Sequence, residues 1–334
     1  MKPPKLTFFC EMEAEPLERL FSDPKVVHYL KTLNAQVSLG LLDLSERRAE
    51  IVRRLNAEQI PVTAWLLLPK EQGYWFNLDN ASHSASRYAA FKDWSAEHGL
   101  QWAGIGLDIE PDIQLIQQLL RDRLTGLKRL VKKALDGQRL QKATREYRAL
   151  VAQIRHDGYL VESYQFPLIL DERDAGSTIL QRVGGLVDLE VDREVFMLYT
   201  SFLRPHGAAV LWEYARHADG VGNTGGGVEI AGVQQPDFLS WQEFEHDLRL
   251  ACQHTEHLYI FSLEGCVNQG FLPGLVDFDW HQRAPIPTDQ LSRVRRFRRL
   301  AHVVLWTASR PWIILIAVAF FWLCRRLSLR KQLN

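Results

Sequence analysis

The sequence predicts one (β/α)₈ barrel, an α/β fold of the TIM-barrel type, over residues 1–285. Short apolar runs alternate with longer amphipathic stretches, a pattern typical of parallel strands joined by crossover helices. The runs contain few polar residues, as expected of strands that are buried on both faces. Eight such units close a barrel, and about 250 residues is a usual size for a single one.

The eight apolar runs give the predicted strands. They cover residues 6–10, 37–42, 62–68, 102–109, 159–164, 195–200, a segment within 220–233, and 258–263. The seventh strand is the least sharply defined. An open doubly wound sheet is the alternative fold, but it usually has a glycine-rich first turn, and residues 11–16 contain no glycine.

Residues 113–158, between strands four and five, are too many for one crossover helix. Apolar residues recur there at helical spacing, and Asp136 and Gly137 interrupt the pattern. We therefore expect a helical hairpin packed on the barrel. Because this insertion begins in the loop after strand four, a lid or a partner-binding surface beside the barrel mouth is the alternative role.

The composition excludes several classes of function. Lys plus Arg and Asp plus Glu number 40 each, which argues against a nucleic-acid-binding body. The four cysteines form no CxxC pair, so we expect reduced thiols rather than disulfides or a zinc site. No cofactor is expected.

The C-terminal residues differ from the rest of the chain. Residues 311–324 carry no charge, and extending the run back to 302 reaches spanning length at the cost of including Arg310. We therefore predict a transmembrane helix over 301–324, between a basic linker at 286–300 and a basic tail at 325–334, with an interfacial helix as the alternative. The N-terminus does not resemble a signal peptide, so we expect the barrel on the cytoplasmic side.

The strongest functional signal is the segment Ala-Gly-Ile-Gly-Leu-Asp-Ile-Glu-Pro at residues 103–111. Since alternate residues of a strand share a face, Gly104, Gly106, Asp108 and Glu110 are predicted to face the barrel lumen. The glycines would leave space, and the carboxylates would lie at the C-terminal rim, where barrel enzymes place catalysis. One of two such close carboxyls should have a raised pKa and serve as a general acid. The alternative is a turn-capping Asp108 and a solvated Glu110.

This segment resembles the fourth-strand signature of family 18 glycoside hydrolases, the chitinase-like TIM barrels, which runs Asp-Gly-x-Asp-x-Asp-x-Glu. The resemblance places Glu110 on the catalytic acid and Asp108 on the aspartate that orients the acetamido group of the substrate. Gly106 and Ala103 stand where the family has its other two aspartates.

The segment Met197-Leu198-Tyr199 resembles the Met-x-Tyr that supplies a tyrosine to the acetamido group in the same family. Thr200 replaces the aspartate that follows, and Leu263-Glu264-Gly265 stands where the family has a strand-eight tryptophan. In such enzymes the N-acetyl group of the substrate is the nucleophile, so one acid suffices. The resemblance implies that Glu110 protonates the leaving oxygen while Asp108 and Tyr199 hold the acetamido group.

Five more residues at predicted strand ends are candidate substrate-binding residues: Glu11, Trp65, Tyr164, Gln165 and Glu264. Glu264 is either a second catalytic carboxylate or an ion-paired barrel residue. Tyr164 and Gln165 are placed to hydrogen-bond a sugar. Trp65 could stack on a pyranose ring, as could Tyr74, Trp75 and Trp280, although so many aromatic residues also suit packing.

A divalent metal site of the sugar-isomerase type, formed by Glu11, Glu110, Glu264 and a histidine, is a further alternative. No histidine ends a predicted strand, so no metal is expected. The predicted function is a membrane-anchored, glycoside-hydrolase-like barrel that cleaves an amino-sugar or related glycan by acid catalysis. The alternative, favoured by the missing family aspartates, is a non-catalytic carbohydrate-binding or scaffold barrel at a membrane.

Overall fold

A computed structural model describes residues 3–111, 132–226, 238–310 and 312. Eight parallel strands close into a barrel in sequence order, with β1 paired to both β2 and β8. The strands are β1 (Lys5–Cys10), β2 (Gln36–Leu41), β3 (Val62–Leu66), β4 (Gly104–Asp108), β5 (Val161–Gln165), β6 (Arg193–Met197), β7 (Gly220–Thr224) and β8 (His257–Phe261). The predicted TIM barrel is confirmed.

Helices cover the outside of the barrel. The described ones are α1 (Ala14–Ser22), α2 (Pro24–Thr32), α3 (Glu46–Ala57), α4 (Ala81–Glu97), α5 (Gly137–His156), α6 (Leu168–Ala175), α7 (Ile179–Gly184), α8 (Gly207–Ala215), α9 (Trp241–Ala251), α10 (Leu263–Asn268), α11 (Leu272–Val276) and α12 (Thr288–Ala308). Two 3₁₀ turns cover Lys70–Gln72 and Thr200–Leu203. Local sequence determines where some of these helices begin. The Ser45 side chain caps the N-terminus of α3, and Ser240 with Glu243 forms a capping box at the N-terminus of α9.

Large side chains fill the lumen below the barrel mouth. Tyr164 from β5 and Tyr259 from β8 are both buried, and their hydroxyls donate to Glu162 at 3.1 and 2.7 Å. Arg193 from β6 donates to the same carboxylate at 2.6 Å. The Glu162 carboxylate is therefore paired with Arg193 and hydrogen-bonded to both phenols, so this layer of side chains closes the lumen without leaving a buried charge unpaired.

Glycines make room for these two tyrosines. A Cβ on Gly106 would lie 2.4 Å from the Tyr164 hydroxyl oxygen, and a Cβ on Gly220 would lie 2.7 Å from the Tyr259 ring. The prediction that Gly106 leaves open space is therefore wrong, because the phenol of Tyr164 occupies that space.

The region between β4 and β5 differs from the predicted hairpin. Helix α5 packs against α4, and the Tyr147 hydroxyl donates to the Asn77 carbonyl at 2.8 Å. This helix takes the place of the ordinary crossover helix between the two strands. The first helix of the predicted hairpin falls mainly on residues 112–131, which lie outside the described part of the chain.

Helix α12 docks on the barrel wall formed by α6 and α8. Its Arg298 is largely buried and donates to Asp171 at 2.7 Å, while Arg295 donates to Glu213 at 3.0 Å. Breaking a buried pair of this kind leaves an uncompensated charge, so these contacts fix the helix firmly. The predicted linker at 286–300 is thus wrong, since most of it belongs to a docked helix.

Within the described residues, no helix is long and apolar enough to cross a membrane. The predicted span begins inside α12. Residues 311 and 313–324 of the span, like the predicted tail at 325–334, lie outside the described ranges.

We expect the substitution Gly106→Ala to destabilise the barrel by about 2 kcal/mol, because the new methyl group overlaps the Tyr164 phenol and forces it off its hydrogen bonds. Urea unfolding of the full chain, followed by far-UV circular dichroism, measures this change. The control is Gly137→Ala, since no atom lies within 4 Å of a Cβ placed there. Equal stability of the two variants would contradict the packing role of Gly106.

Candidate active site

A cleft of about 1120 Å³ opens at the carboxyl ends of the strands. At one end lie three carboxylates, Glu11, Asp108 and Glu110, which we call the carboxylate end. Another part of the lining, which we call the apolar wall, is formed by Phe166, Leu168, Phe202, Leu203, Val294 and Phe297, and the same cleft is also lined by Arg204, His206 and Arg293. The cleft thus combines a polar end with an apolar side.

Strand β4 supplies two of the carboxylates through its alternation. Leu107 and Ile109 are buried in the outer core between strands and helices, so Asp108 and Glu110 face the cleft. A segment after β3 continues the pairing, because Phe76 N–H donates to the Asp108 carbonyl at 3.1 Å and its carbonyl accepts from Glu110 N–H at 3.0 Å. The main chain that carries both carboxyls is therefore held by hydrogen bonds.

Burial and neighbouring negative charge raise the pKa of both carboxyls, although a hydrogen bond with Asp108 lowers the pKa of Glu110. Burial raises the pKa of Glu110 to about 8, and the nearby charge of Glu11 acts in the same direction. The pKa of Asp108 is also raised, first by burial and then by the charges of Glu110 and Glu11. At neutral pH the pair retains a proton, which is the state that a general acid requires.

Glu11 completes the carboxylate end from the loop after β1. Burial raises the pKa of Glu11 to about 7, although the hydrogen bond from the Tyr74 hydroxyl opposes this effect. Tyr74 itself adopts a φ of 65°, a left-handed conformation that is uncommon for a bulky residue and occurs preferentially at functional sites. The sequence suggested Tyr74 for stacking, whereas the structure makes it the partner of Glu11.

Glu264 lies behind the carboxylate end rather than in it. It belongs to the first turn of α10, where its Oε1 accepts a hydrogen bond from the Glu11 N–H at 3.3 Å. It also contacts the thiol of Cys10, and burial raises its pKa. The suggestion that Glu264 is a second catalytic carboxylate is corrected, because Glu264 does not line the cleft that contains Asp108 and Glu110.

Two residues of β5 that were predicted to hydrogen-bond a sugar direct their polar groups away from the cleft. The Tyr164 hydroxyl turns down into the lumen and shares a 2.7 Å hydrogen bond with Ser38, so only its ring reaches the cleft. Gln165 lies on the opposite face of the strand, where it contacts Ser163 at 3.4 Å. Adjacent strand residues cannot both face the lumen, and so Gln165 is not a cleft residue.

Tyr199 does lie beside the carboxylates. It follows β6 on the same face as Met197, lines the cleft, and packs its ring 5.7 Å from that of Phe261. Burial raises the pKa of Tyr199, and the charges of Asp108, Glu110 and Glu11 raise it further. The structure therefore brings Asp108, Glu110 and Tyr199 into one cleft.

Trp65 contributes to the floor of the same cleft. Its indole N–H lies against Asp108 without completing a hydrogen bond, and within the described chain neither this group nor Asp108 Oδ1 has a hydrogen-bond partner. Unpaired buried polar groups are costly in a folded protein, so this pair is suited to receive a polar ligand. Trp75 also lines the cleft, whereas Trp280 packs 4.3 Å from the ring of Phe278 away from it.

Sequence reasoning missed the apolar wall. Val294 and Phe297 come from α12, and Phe202 and Leu203 from the 3₁₀ turn after β6. The helical spacing of Leu291, Val294 and Leu305 was the available signal for a docked helix. Among the residues that the structure describes, no group of three or more His, Cys, Asp and Glu side chains is arranged to hold a metal ion.

No protein-family model and no curated protein matches the sequence. Among solved structures, the chain is similar to a GH18 chitinase from Pseudoalteromonas aurantia, with 12% identity, a TM-score of 0.49, and coverage of 82% of this chain and 100% of that one. It is also similar to a xylose isomerase-like TIM barrel protein from Mycobacterium smegmatis, with 11% identity, a TM-score of 0.44, and coverage of 82% and 97%. Both are similarities of fold.

The raised pKa of Glu110 makes stability depend on pH in a defined direction. A glutamate in the unfolded chain has a pKa of about 4.3. Below that pH Glu110 makes its full contribution to the free energy of unfolding, and this contribution is lost as the pH rises through about 8. We expect Glu110→Gln to be more stable than wild type by at least about 1 kcal/mol at pH 9, with a smaller difference at pH 5. Urea titrations at both pH values measure it, and a difference that is the same at pH 5 and pH 9 would contradict the raised pKa.

Proposed function

We propose that this protein is a glycoside hydrolase that cleaves amino-sugar glycosides, with Glu110 as the general acid. The observation that carries the proposal is the meeting of Glu110, Asp108 and Tyr199 at one end of a single cleft. These are the residues that the resemblance to family 18 glycoside hydrolases assigns to catalysis.

The first step uses the proton that Glu110 retains at neutral pH. Glu110 donates it to the glycosidic oxygen as the bond from that oxygen to the anomeric carbon breaks. The carbonyl oxygen of the substrate's acetamido group bonds to the same carbon, so the leaving group departs as an alcohol and a cyclic oxazolinium forms. Asp108 accepts a hydrogen bond from the acetamido N–H, and the Tyr199 hydroxyl donates to the acetamido oxygen.

The second step reverses the roles. Glu110, now a carboxylate, takes a proton from a water molecule while the water oxygen bonds to the anomeric carbon. The bond from that carbon to the acetamido oxygen breaks, which restores the acetamido group and the protonated Glu110. Because the positive oxazolinium forms beside the carboxylate end, the carboxylate that Glu110 becomes on giving up its proton stabilises it more strongly than it does the neutral sugar.

Glu11 has a supporting part in this proposal. Its charge raises the pKa of Glu110 and so keeps the acid protonated. Tyr74 and Glu264 hold Glu11 in place through its side chain and its main chain, respectively.

We further propose that the barrel is held at a membrane by residues 311–324, on the cytoplasmic side. The uncharged sequence of that run supports the proposal. A protease added outside the cells tests on which side of the membrane the barrel lies. We expect the barrel to stay uncut in intact cells and to be cut once the cells are opened.

A binding-only barrel is the second candidate function. Gly106 and Ala103 favour it, because the resembling family has acids at both positions. Turnover decides between the two functions, since both predict that a sugar binds in the cleft.

The deciding experiment measures hydrolysis of 4-nitrophenyl N-acetyl-β-glucosaminide by the full chain in lipid nanodiscs. We expect Glu110→Gln to lower kcat/KM by about 10³-fold and Asp108→Asn by about 10²-fold, since each removes a group that acts in the transition state. The wild-type kcat/KM should fall above pH 8, as Glu110 loses its proton.

The control is Glu13→Gln, an exposed rim residue of the same loop as Glu11, which should retain activity within about twofold. Undiminished hydrolysis by Glu110→Gln would refute the assignment of the acid. Binding of the glycoside by the wild type without any release of nitrophenol would favour the binding-only barrel.

A further inference from the structure

We propose that the natural ligand is an amphiphilic glycoside, whose sugar occupies the carboxylate end while its hydrocarbon chain lies along the apolar wall. The placement of the sugar rests on the proposed function. The placement of the hydrocarbon chain rests on the geometry of the apolar wall.

The apolar wall offers a sugar chain little to bind. It brings together aromatic and aliphatic side chains from the start of α6 and the loop before it, from the 3₁₀ turn Thr200–Leu203 and from helix α12. Two of the polar groups nearby are engaged elsewhere, since the Tyr214 hydroxyl donates to Asp171 and Arg204 pairs with Glu243 at 2.8 Å. His206 and Arg293 also line the cleft, beside the wall residues of the 3₁₀ turn and of α12. A polysaccharide would lose the hydration of its hydroxyls against this wall, whereas a hydrocarbon chain would gain from leaving water.

The wall is also open to the outside. Leu168 is 40% exposed, Leu203 36% and Phe297 57%, although all three are large apolar residues that line the cleft. Exposed apolar side chains that cluster at the edge of a cleft mark a binding surface. A ligand that enters here meets apolar side chains before it reaches the carboxylates.

Exposed apolar residues continue from the wall along α12. Leu300, Val303 and Val304 are 62%, 57% and 55% exposed, and they follow Phe297 at the spacing of one helix face. This face, which we call the α12 stripe, leads toward the uncharged residues 311–324. A helix face of this composition suits the surface of a bilayer, which places the open side of the cleft next to lipid.

The expected gain in affinity follows from the hydrophobic effect. Each methylene group that moves from water to the wall strengthens binding by about fourfold. If half of the additional methylenes of an octyl chain reach the wall, an octyl glycoside should bind about 100-fold more tightly than the methyl glycoside with the same sugar.

The test compares methyl and octyl N-acetyl-β-glucosaminide, titrated against full-length Glu110→Gln protein in phosphatidylcholine nanodiscs, with empty nanodiscs subtracted. The Glu110→Gln background removes turnover, so binding is measured alone. We expect the octyl glycoside to bind about 100-fold more tightly. Adding Phe297→Ser should reduce that preference by about tenfold without changing methyl glycoside binding.

Leu300→Ser is the matched control, because Leu300 lies on the same helix face but outside the lining of the cleft. It should leave the octyl preference unchanged. Equal binding of the two glycosides, or no binding of the octyl glycoside, would overturn the proposal. An octyl preference that is unaffected by Phe297→Ser would also overturn it, since it would show partition into lipid.

The two proposals fail separately. An octyl preference that depends on Phe297, without hydrolysis by the wild type, would refute the proposed glycosidase activity but would support the proposal of an amphiphilic ligand. Hydrolysis of both glycosides with equal kcat/KM would refute the proposal of an amphiphilic ligand but would support the proposed glycosidase activity.

Discussion

The burial of three carboxylates at one end of the barrel is the constraint on which the site depends. Glu11, Asp108 and Glu110 come from two strands that are neither adjacent nor linked by one loop, yet each influences the pKa of another. Charges so close and so poorly solvated cannot all ionise at neutral pH. The folded state therefore keeps part of this group protonated. Main-chain hydrogen bonds to Phe76 hold the backbone of Asp108 and Glu110, and the Glu264 carboxyl holds the backbone of Glu11.

The packed lumen makes this arrangement possible. Tyr164 and Tyr259 close the barrel beneath the cleft, and Glu162 with Arg193 satisfies their hydroxyls. A floor that is both filled and hydrogen-bonded keeps water out from below, so the low polarity that raises the carboxyl pKa values is maintained from the lumen side. The glycine at position 106 is part of this floor, and its small size serves Tyr164 rather than the ligand.

The sequence predicted what depends on periodicity and could not predict what depends on distant partners. Strand alternation correctly placed Asp108 and Glu110 on the lumenal face, and the same rule, applied to Tyr164, would have excluded Gln165. The direction of the Tyr164 hydroxyl was beyond sequence reasoning, because its partner Ser38 lies 126 residues away. Local composition suggested a basic linker at 286–300 for a similar reason, since the acids that bind its arginines belong to α6 and α8.

Helix α12 connects the two proposals physically. Phe297 lines the cleft, and the next residue, Arg298, is buried against Asp171 of the barrel wall. Consecutive helical residues point about 100° apart, so pinning one fixes the direction of the other. A helix that lay on a membrane while attached only by a flexible linker could adopt any angle to the barrel. Here the α12 stripe is rigidly tied to the apolar wall, so contact of the stripe with lipid would also set the orientation of the cleft.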